Sequence, residues 1–444
     1  MTHSRASFVA ACLGAFVVYL DVSVVNVATT AIGRDLGGDL VTLEWVVNGY
    51  TLSFGALLLT GGTLSDTTGA RRMFRLGMVV FTLSSLGCAL APAQPILILS
   101  RIAQGVGGAL AVPATLSVVR AAFPDEHARA RAVGLWAALG GSLALAVGPV
   151  VGGVLVEHLG WRAIFLVNVP LGGTALTLAR TGSGTPEGVA RRRLDLPGQA
   201  LAVAGLAALT AGLVEAGTLG WSATPVVGCL ATFALSLVAF LLVERRSAAP
   251  MLPPNLFRRT GFSAATAAGT LVNFAFYGLI FALSLFFQHA WALSPATTGL
   301  AFLPLTASLG VSNLASARLS TRRDTRTVIV AGCAAAIMGC GGSAAVAGHH
   351  SYPAILLPLL VAGAGIGLVV PAVTAAMLSA AGPTQAGIAA GAFNTLRQVG
   401  GLVGVAVMGL LGGTGETLGS IQACLLAAAV ALAAAGATSA LRSR

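Results

Sequence analysis

Apolar residues run along this chain in long unbroken stretches, without the period-two alternation of a half-buried strand or the one-sided stripe of a soluble helix. Stretches of about 20 residues, enough to cross about 30 Å of hydrocarbon at about 1.5 Å per residue, lie near 8–30, 45–65, 73–92, 96–119, 132–155, 162–180, 197–215, 224–243, 262–287, 296–316, 327–347, 354–378, 386–411 and 418–440. They predict an all-α integral membrane protein with fourteen transmembrane helices. A polar residue inside such a stretch stands out, and the first stretch holds one: "VVYLDVSVVNVATT" at 17–30 places Asp21 among valines. An unpaired carboxylate there costs several kcal/mol, so Asp21 is expected to have both a partner and a task.

Composition agrees with the pattern: 56% of 444 residues are hydrophobic, 9% are charged and mean hydropathy is +0.89, whereas soluble domains carry about 25% charged residues. The net charge of +11 raises the question of a nucleic-acid partner. The chain has no lysine, so all 25 basic residues are arginines. With loops alternating from a cytoplasmic N-terminus, 21 of them fall on one side: Arg5, Arg71, Arg72, Arg75, Arg120, Arg129, Arg131, Arg180, Arg191 to Arg193, Arg245, Arg246, Arg258, Arg259, Arg318, Arg322, Arg323, Arg326, Arg442 and Arg444. Arg34 and Arg162 fall on the other, and Arg101 and Arg397 lie inside spans. This is the positive-inside skew of an even-span protein with both termini cytoplasmic. The charge reports topology and requires no nucleic acid.

The six cysteines lie in apolar stretches without CxxC or His/Cys spacing, so no disulfide framework and no metal site is expected. The histidines fall in loops or at helix ends. Arg5 ahead of an apolar run resembles a signal peptide, but cleavage would remove Asp21 and upset the charge parity of every later loop, so a retained first helix is expected.

The chain repeats itself. "GVGGALAVPA" at 105–114 is echoed by "GAGIGLVVPA" at 363–372, and "GGSLALAVGPVVGG" at 140–153 by "GGLVGVAVMGLLGG" at 400–413, at offsets of 258 and 260 residues. Near-constant offsets with helices running the same way indicate parallel structural halves. Six helices at about 30 residues each leave about 80 residues of the offset unexplained, and the spans at 197–215 and 224–243 fill it. The expected plan is 6 + 2 + 6: an N-terminal bundle at 1–180, a polar cytoplasmic linker with the two additional helices at 181–260, and a C-terminal bundle at 261–444. The linker "RTGSGTPEGVARRRLDLPG" has room for a short amphipathic helix.

Six stretches, in order, carry a family resemblance: "LDVSVVNVA" in helix 1, "GGTLSDTTGARRMF" after helix 2, "RIAQGVGG" in helix 4, "ALAVGPVVGG" in helix 5, "WRAIFLVNVP" at helix 6 and "FNTLRQVGG" in helix 13. Across almost its whole length the chain resembles the major facilitator superfamily, and within it the fourteen-span drug:proton antiporters. The resemblance implies that Gly62, Asp66, Gly69 and Arg71 form a cytoplasmic latch between helices 2 and 3, although Thr67 and Ala70 depart from the usual pattern. It further implies that Gly148, Pro149, Gly152 and Gly153 form the helix-5 signature of exporters, in which Pro149 would bend the helix at the Leu145 carbonyl.

Depth along the helices nominates a pair. Asp21 lies about 13 residues, or about 20 Å, from the cytoplasmic start of helix 1. Arg101 enters helix 4 from outside by about 8 Å, which puts it about 22 Å above the cytoplasmic edge. The two opposite charges share a height, and the resemblance puts both helices on the central cavity. Arg101 is therefore expected to hold Asp21 ionised in one conformer and to release it when a proton or cationic substrate arrives. Asn26, Gln104, Phe274, Tyr277, Asn394 and Arg397 are candidates for the substrate cavity, with Arg397 near the midplane, and Glu215 is a candidate second carboxylate near the outer end of helix 7.

The expected function is a proton-coupled exporter of hydrophobic, antibiotic-like molecules, cationic ones among them, working by alternating access in the bacterial cytoplasmic membrane. It would be a monomer in the lipid bilayer, without a cofactor, and not an enzyme; GxxxxGK[ST] is absent from the sequence. The alternative is a proton-coupled uptake symporter of a small organic solute, disfavoured by "GPVVGG".

Overall fold

The structure is a computed structural model that describes residues 3–123, 125–180, 195–247, 250–252, 254–382, 385–413 and 417–440. The described residues contain helices and no strands. Residues 181–194, where the linker and its short helix were expected, lie outside them.

Each apolar stretch falls on a helix: α1 His3–Leu36, α2 Leu40–Thr68, α3 Ala70–Ala89, α4 Gln94–Ala122, α5 Glu126–Leu159, α6 Ala163–Arg180, α7 Leu196–Leu219, α8 Thr224–Arg246, α9 Thr260–His289, α10 Pro295–Ser316, α11 Thr325–His349, α12 Tyr352–Ala381, α13 Ala386–Gly412 and α14 Leu418–Ala440. Among the described residues, twelve of these are long and apolar enough to cross a membrane; α2 and α3 fall short. α3 opens with Arg71, Arg72 and Arg75, and α2 is interrupted by Asn48, Gly49, Thr51, Ser53 and Gly55, which lowers its apolarity without ending the helix.

Local chemistry sets the ends. Asp39 caps α2 by accepting from Thr42 N at 3.0 Å, Asp125 caps α5 through Ala128 N at 2.8 Å, and Asp195 accepts from Gly198 N at 2.9 Å as α7 begins. A single residue separates α2 from α3. This is Gly69 at φ +99°, a conformation that a side chain would resist.

The chain divides into two compact units, Met1–Gln199 and Ala200–Arg444. In the first, α4 packs on α1, α2 and α3, α1 also on α5 and α6, and α3 on α6. In the second, α12 packs on α9, α10 and α11, α9 also on α13 and α14, and α11 on α14. Helix for helix this is the same set of pairings, and the echoed glycines produce it. A Cβ at Gly105 would lie 2.4 Å from Tyr50 O on α2, and one at Gly363 would lie 2.0 Å from Leu305 O on α10. One at Gly107 would reach Phe81 N on α3 at 2.5 Å, and one at Gly365 would reach Ala336 N on α11 at 2.4 Å. Small residues let the backbones touch where lipid supplies no hydrophobic drive.

α5 continues through Pro149, and its irregularity lies earlier, in a π-turn at Ala137–Ser142. The exposed face of α8 is a run of leucine and valine, including Leu235, Val238, Leu241 and Leu242, a surface suited to acyl chains.

Candidate functional site

The first unit closes around Asp21. Its Oδ2 is paired with Nη1 of Arg101 on α4, and its Oδ1 accepts from Gln104 Nε2 at 2.9 Å and from Asn168 Nδ2 on α6 at 2.7 Å. Gln104 Oε1 accepts from Arg101 Nη1 at 2.6 Å, and Gln104 Nε2 also reaches Ser85 Oγ on α3 at 2.8 Å. Ser85 passes the chain on by donating to Phe81 O at 2.8 Å. Arg101 Nε donates to Val46 O on α2 at 3.0 Å, and its guanidinium sits 4.5 Å from the Tyr50 ring centroid and 5.6 Å from that of Phe165. Tyr50 donates in turn to Val18 O on α1 at 3.1 Å.

The arrangement is dry: Asp21, Ser85, Gln104 and Asn168 are wholly buried and Arg101 is 1% exposed. One arginine and two amides satisfy both oxygens of the buried carboxyl. Five helices, α1, α2, α3, α4 and α6, contribute to one polar knot.

The sequence nominated Asp21, Arg101 and Gln104 but missed Asn168, Ser85 and Tyr50. Asn168 was visible within "WRAIFLVNVP"; its place near the start of helix 6 made it look like a helix-end residue. Asn26 Nδ2 donates to Val22 O on its own helix at 3.0 Å. At the 258-residue repeat offset, Arg101 and Gln104 correspond to Leu359 and Ala362, both buried and apolar, so the second unit has no copy of the ion pair.

In the second unit Arg397 on α13 is half-buried and binds Asn273 on α9. Its Nε and Nη2 donate to Asn273 Oδ1 at 3.3 and 3.1 Å, Asn273 Nδ2 returns a bond to Arg397 O at 3.1 Å, and the Phe393 ring lies 5.5 Å away. Asn394 is exposed, Phe274 is half-buried, and Tyr277 is buried with its ring edge-on to Phe276. Glu215 is half-buried on α7. Of the latch residues, Asp66 is exposed, Arg71 donates to Ser7 Oγ at 3.3 Å, and a Cβ on half-buried Gly62 would meet Pro113 at 3.9 Å. Gly148 and Gly152 bring α5 close to α1, where added Cβ atoms would lie 1.7 Å from Ser23 Oγ and 2.9 Å from Val24 O.

At the far end of α1, Asp35 accepts from Trp161 Nε1 at 2.9 Å and Arg162 Nη1 at 2.5 Å, while Arg162 Nη2 reaches Ala91 O at 3.3 Å. Both charged side chains are over 40% exposed, so this clasp is worth little. Asp35→Ala is expected to cost less than about 1 kcal/mol in thermal unfolding and to leave transport near wild type.

Known proteins share this sequence and this fold. Residues 11–405 match the profile of the Major Facilitator Superfamily. The methylenomycin A resistance protein of Streptomyces coelicolor is 38% identical over 408 residues, covering 92% of this chain and 86% of that protein. The cephamycin export protein CmcT of Amycolatopsis lactamdurans is 38% identical over 93% of this chain and 86% of its own, and the multidrug resistance protein Stp of Mycobacterium tuberculosis is 34% identical over 91% and 75%. Among solved structures, a bacterial homologue of the lysosomal transporter Spinster superposes with a TM-score of 0.70 at 14% identity over 99% of this chain and 97% of that one. The xylose transporter XylE from E. coli does so with 0.67 at 13% over 98% and 97%. Those structures share the fold, and the relatives share the sequence throughout: this chain is a multi-pass membrane protein of the Major Facilitator Superfamily, a family of transporters and not of enzymes.

Proposed function

We propose that this protein is a proton-coupled exporter of hydrophobic, antibiotic-like molecules, and that Asp21 is its coupling carboxyl. The observation that carries the proposal is the sealed Asp21–Arg101 pair. Two opposite charges buried together are held only while their donors stay in place, so a proton on Asp21 frees Arg101 and loosens five helices at once. Export is the direction supported by the relatives' names, which speak of antibiotic resistance and cephamycin export, and by the Gly148–Pro149–Gly152–Gly153 signature. Arg397 with Asn273, Phe274 and Tyr277 would meet the substrate, and Gln104 would serve Asp21 in place of the substrate. Asp66 and Arg71 would act as the cytoplasmic latch.

The membrane is the bacterial cytoplasmic membrane, with both termini inside as the arginine skew requires. In this reading α2 and α3 cross the bilayer with the other twelve helices, since Tyr50 of α2 and Ser85 of α3 join the buried network around Asp21 and Arg101 and the arginines of α3 gather at its N-terminal end. Fourteen crossings then divide as 6 + 2 + 6, with bundles at 1–180 and 261–444 and α7 and α8 between them, and each monomer carries a complete Asp21 site.

The test is proton efflux from the lumen of energised inverted vesicles as hydrophobic cations and neutral antibiotics are added. Substrate-triggered proton efflux is expected for the wild type and not for Asp21→Asn. Because that variant leaves Arg101 uncompensated, Asp21→Asn/Arg101→Leu, which removes both charges, is measured beside it. Efflux that persists in a folded Asp21 variant refutes the assignment.

A further inference from the structure

A second carboxyl is buried in the first unit, and the Asp21 knot does not use it. Glu44, in the second turn of α2, is 2% exposed, and its Oε2 is buried without a hydrogen-bond partner. One turn further on the same helix, Asn48 is wholly buried with both Nδ2 and Oδ1 unpartnered. α1 runs antiparallel beside α2. A Cβ at Gly33 would lie 3.4 Å from Leu43 Cδ2, and the Tyr19 ring meets that of Phe54 at 6.3 Å. On α1, between those two points, Thr30 Oγ1 is also buried without a partner.

Buried polar atoms are almost always bonded, so several open ones on adjoining turns mark a site built for something else. The surrounding charges do not neutralise an anion at Glu44. Burial itself disfavours the charge, and among the described residues the one charge acting on it is Asp39, of like sign, at the cap of α2. Arg101 of α4 touches α2 through Val46 O, but its guanidinium is committed to Asp21. At the outer end of α1, Asp35 is held by Arg162 and Trp161, and Arg34 lies one residue before it in the last turn. From α3, Cys88 points to Gln104. A carboxylate there would be a buried charge without a counter-charge, and the neutral acid is the form the site can hold.

We propose that Glu44, flanked by Asn48 and Thr30, is a second proton-carrying site, which exchanges its proton for the positive charge of an organic-cation substrate. In the exchange the Glu44 O–H bond breaks, the proton passes to water, and the cation takes its place against the carboxylate while the Asn48 amide and Thr30 hydroxyl solvate the pair. Charge is conserved and no electrons move. The proposal rests on the proton-coupled reading above, which assigned coupling to Asp21 alone.

The experiment uses the full chain in lipid nanodiscs, with ethidium as the cation and chloramphenicol as the neutral probe. Infrared spectra with isotopically labelled glutamate are expected to show a buried carboxylic-acid C=O band at neutral pH that disappears in Glu44→Gln and persists in Asp21→Asn. Ethidium affinity is expected to fall at least about tenfold in Glu44→Gln, a loss of about 1.4 kcal/mol, with about one fewer proton released per ethidium bound and chloramphenicol binding unchanged. Glu44→Asp, which keeps the acid, is expected to restore most of both and guards against a folding defect. A wild type without the band, or a folded Glu44→Gln with full ethidium affinity and proton release, overturns the proposal. Release lost in Asp21→Asn but kept in Glu44→Gln would leave the Asp21 reading standing and remove this one; the opposite pattern would do the reverse.

Discussion

Replacing Arg101 by leucine is expected to bring the first unit to the edge of unfolding. The substitution strands Asp21 with two amide donors and no counter-charge in a site sealed from water, and breaking a buried pair from one side costs about 3–5 kcal/mol. That is a large share of the about 5–15 kcal/mol that holds a typical domain together. Adding Asp21→Asn should recover most of the loss, because no buried ion remains and Gln104 and Asn168 can still bond the amide oxygen. Thermal unfolding of the two single variants and the double variant in detergent measures the coupling directly. A single Arg101→Leu as stable as wild type would mean that the guanidinium is dispensable to the knot.

A single methyl group is expected to do comparable harm at Gly148. Its Cβ would fall 1.7 Å from Ser23 Oγ and 2.7 Å from Ser23 Cβ, so α5 would be pushed off α1. Overpacking of this kind costs about 1–3 kcal/mol, and transport should fall with it. The clash is with one side chain, so Ser23→Gly in the same chain should relieve most of it. Gly228→Ala in α8 is the control: nothing lies within 4 Å of that site, and alanine there is expected to be neutral or slightly stabilising. If Gly148→Ala behaves like Gly228→Ala, α1 and α5 can part without consequence and the signature has no packing role.

The helices were legible because hydrocarbon imposes a length, and each apolar stretch maps onto a helix. The Asp21–Arg101 pair was legible for a related reason: few charges survive in the interior of a span, and counting residues from each end placed the two at one height. What escaped was angular. Asn168, Ser85 and Tyr50 are ordinary polar residues by composition, and their role depends on which way α2, α3 and α6 are rotated about their axes, which depth does not reveal. Asn273 escaped as the partner of Arg397 because the two are 124 residues apart and lie in neither echoed motif. Glu44 escaped because it lies one residue before the apolar stretch that begins near 45, whereas α2 begins at Leu40 and carries it inside.

The two units share their glycine contacts and their helix pairings, yet among the described residues the Asp21–Arg101 network belongs to the first, with buried Leu359 and Ala362 standing at the repeat positions of Arg101 and Gln104. The repeat is thus visible in the small residues of both units and not in the charged and amide residues of the knot. Close helix contacts tolerate almost no change in either copy, while an ionic site can lapse in one copy as long as its counterpart remains. A residue changed in the second unit therefore leaves the Asp21–Arg101 bonds in place, so the packing of one unit and the polar network of the other can be altered separately.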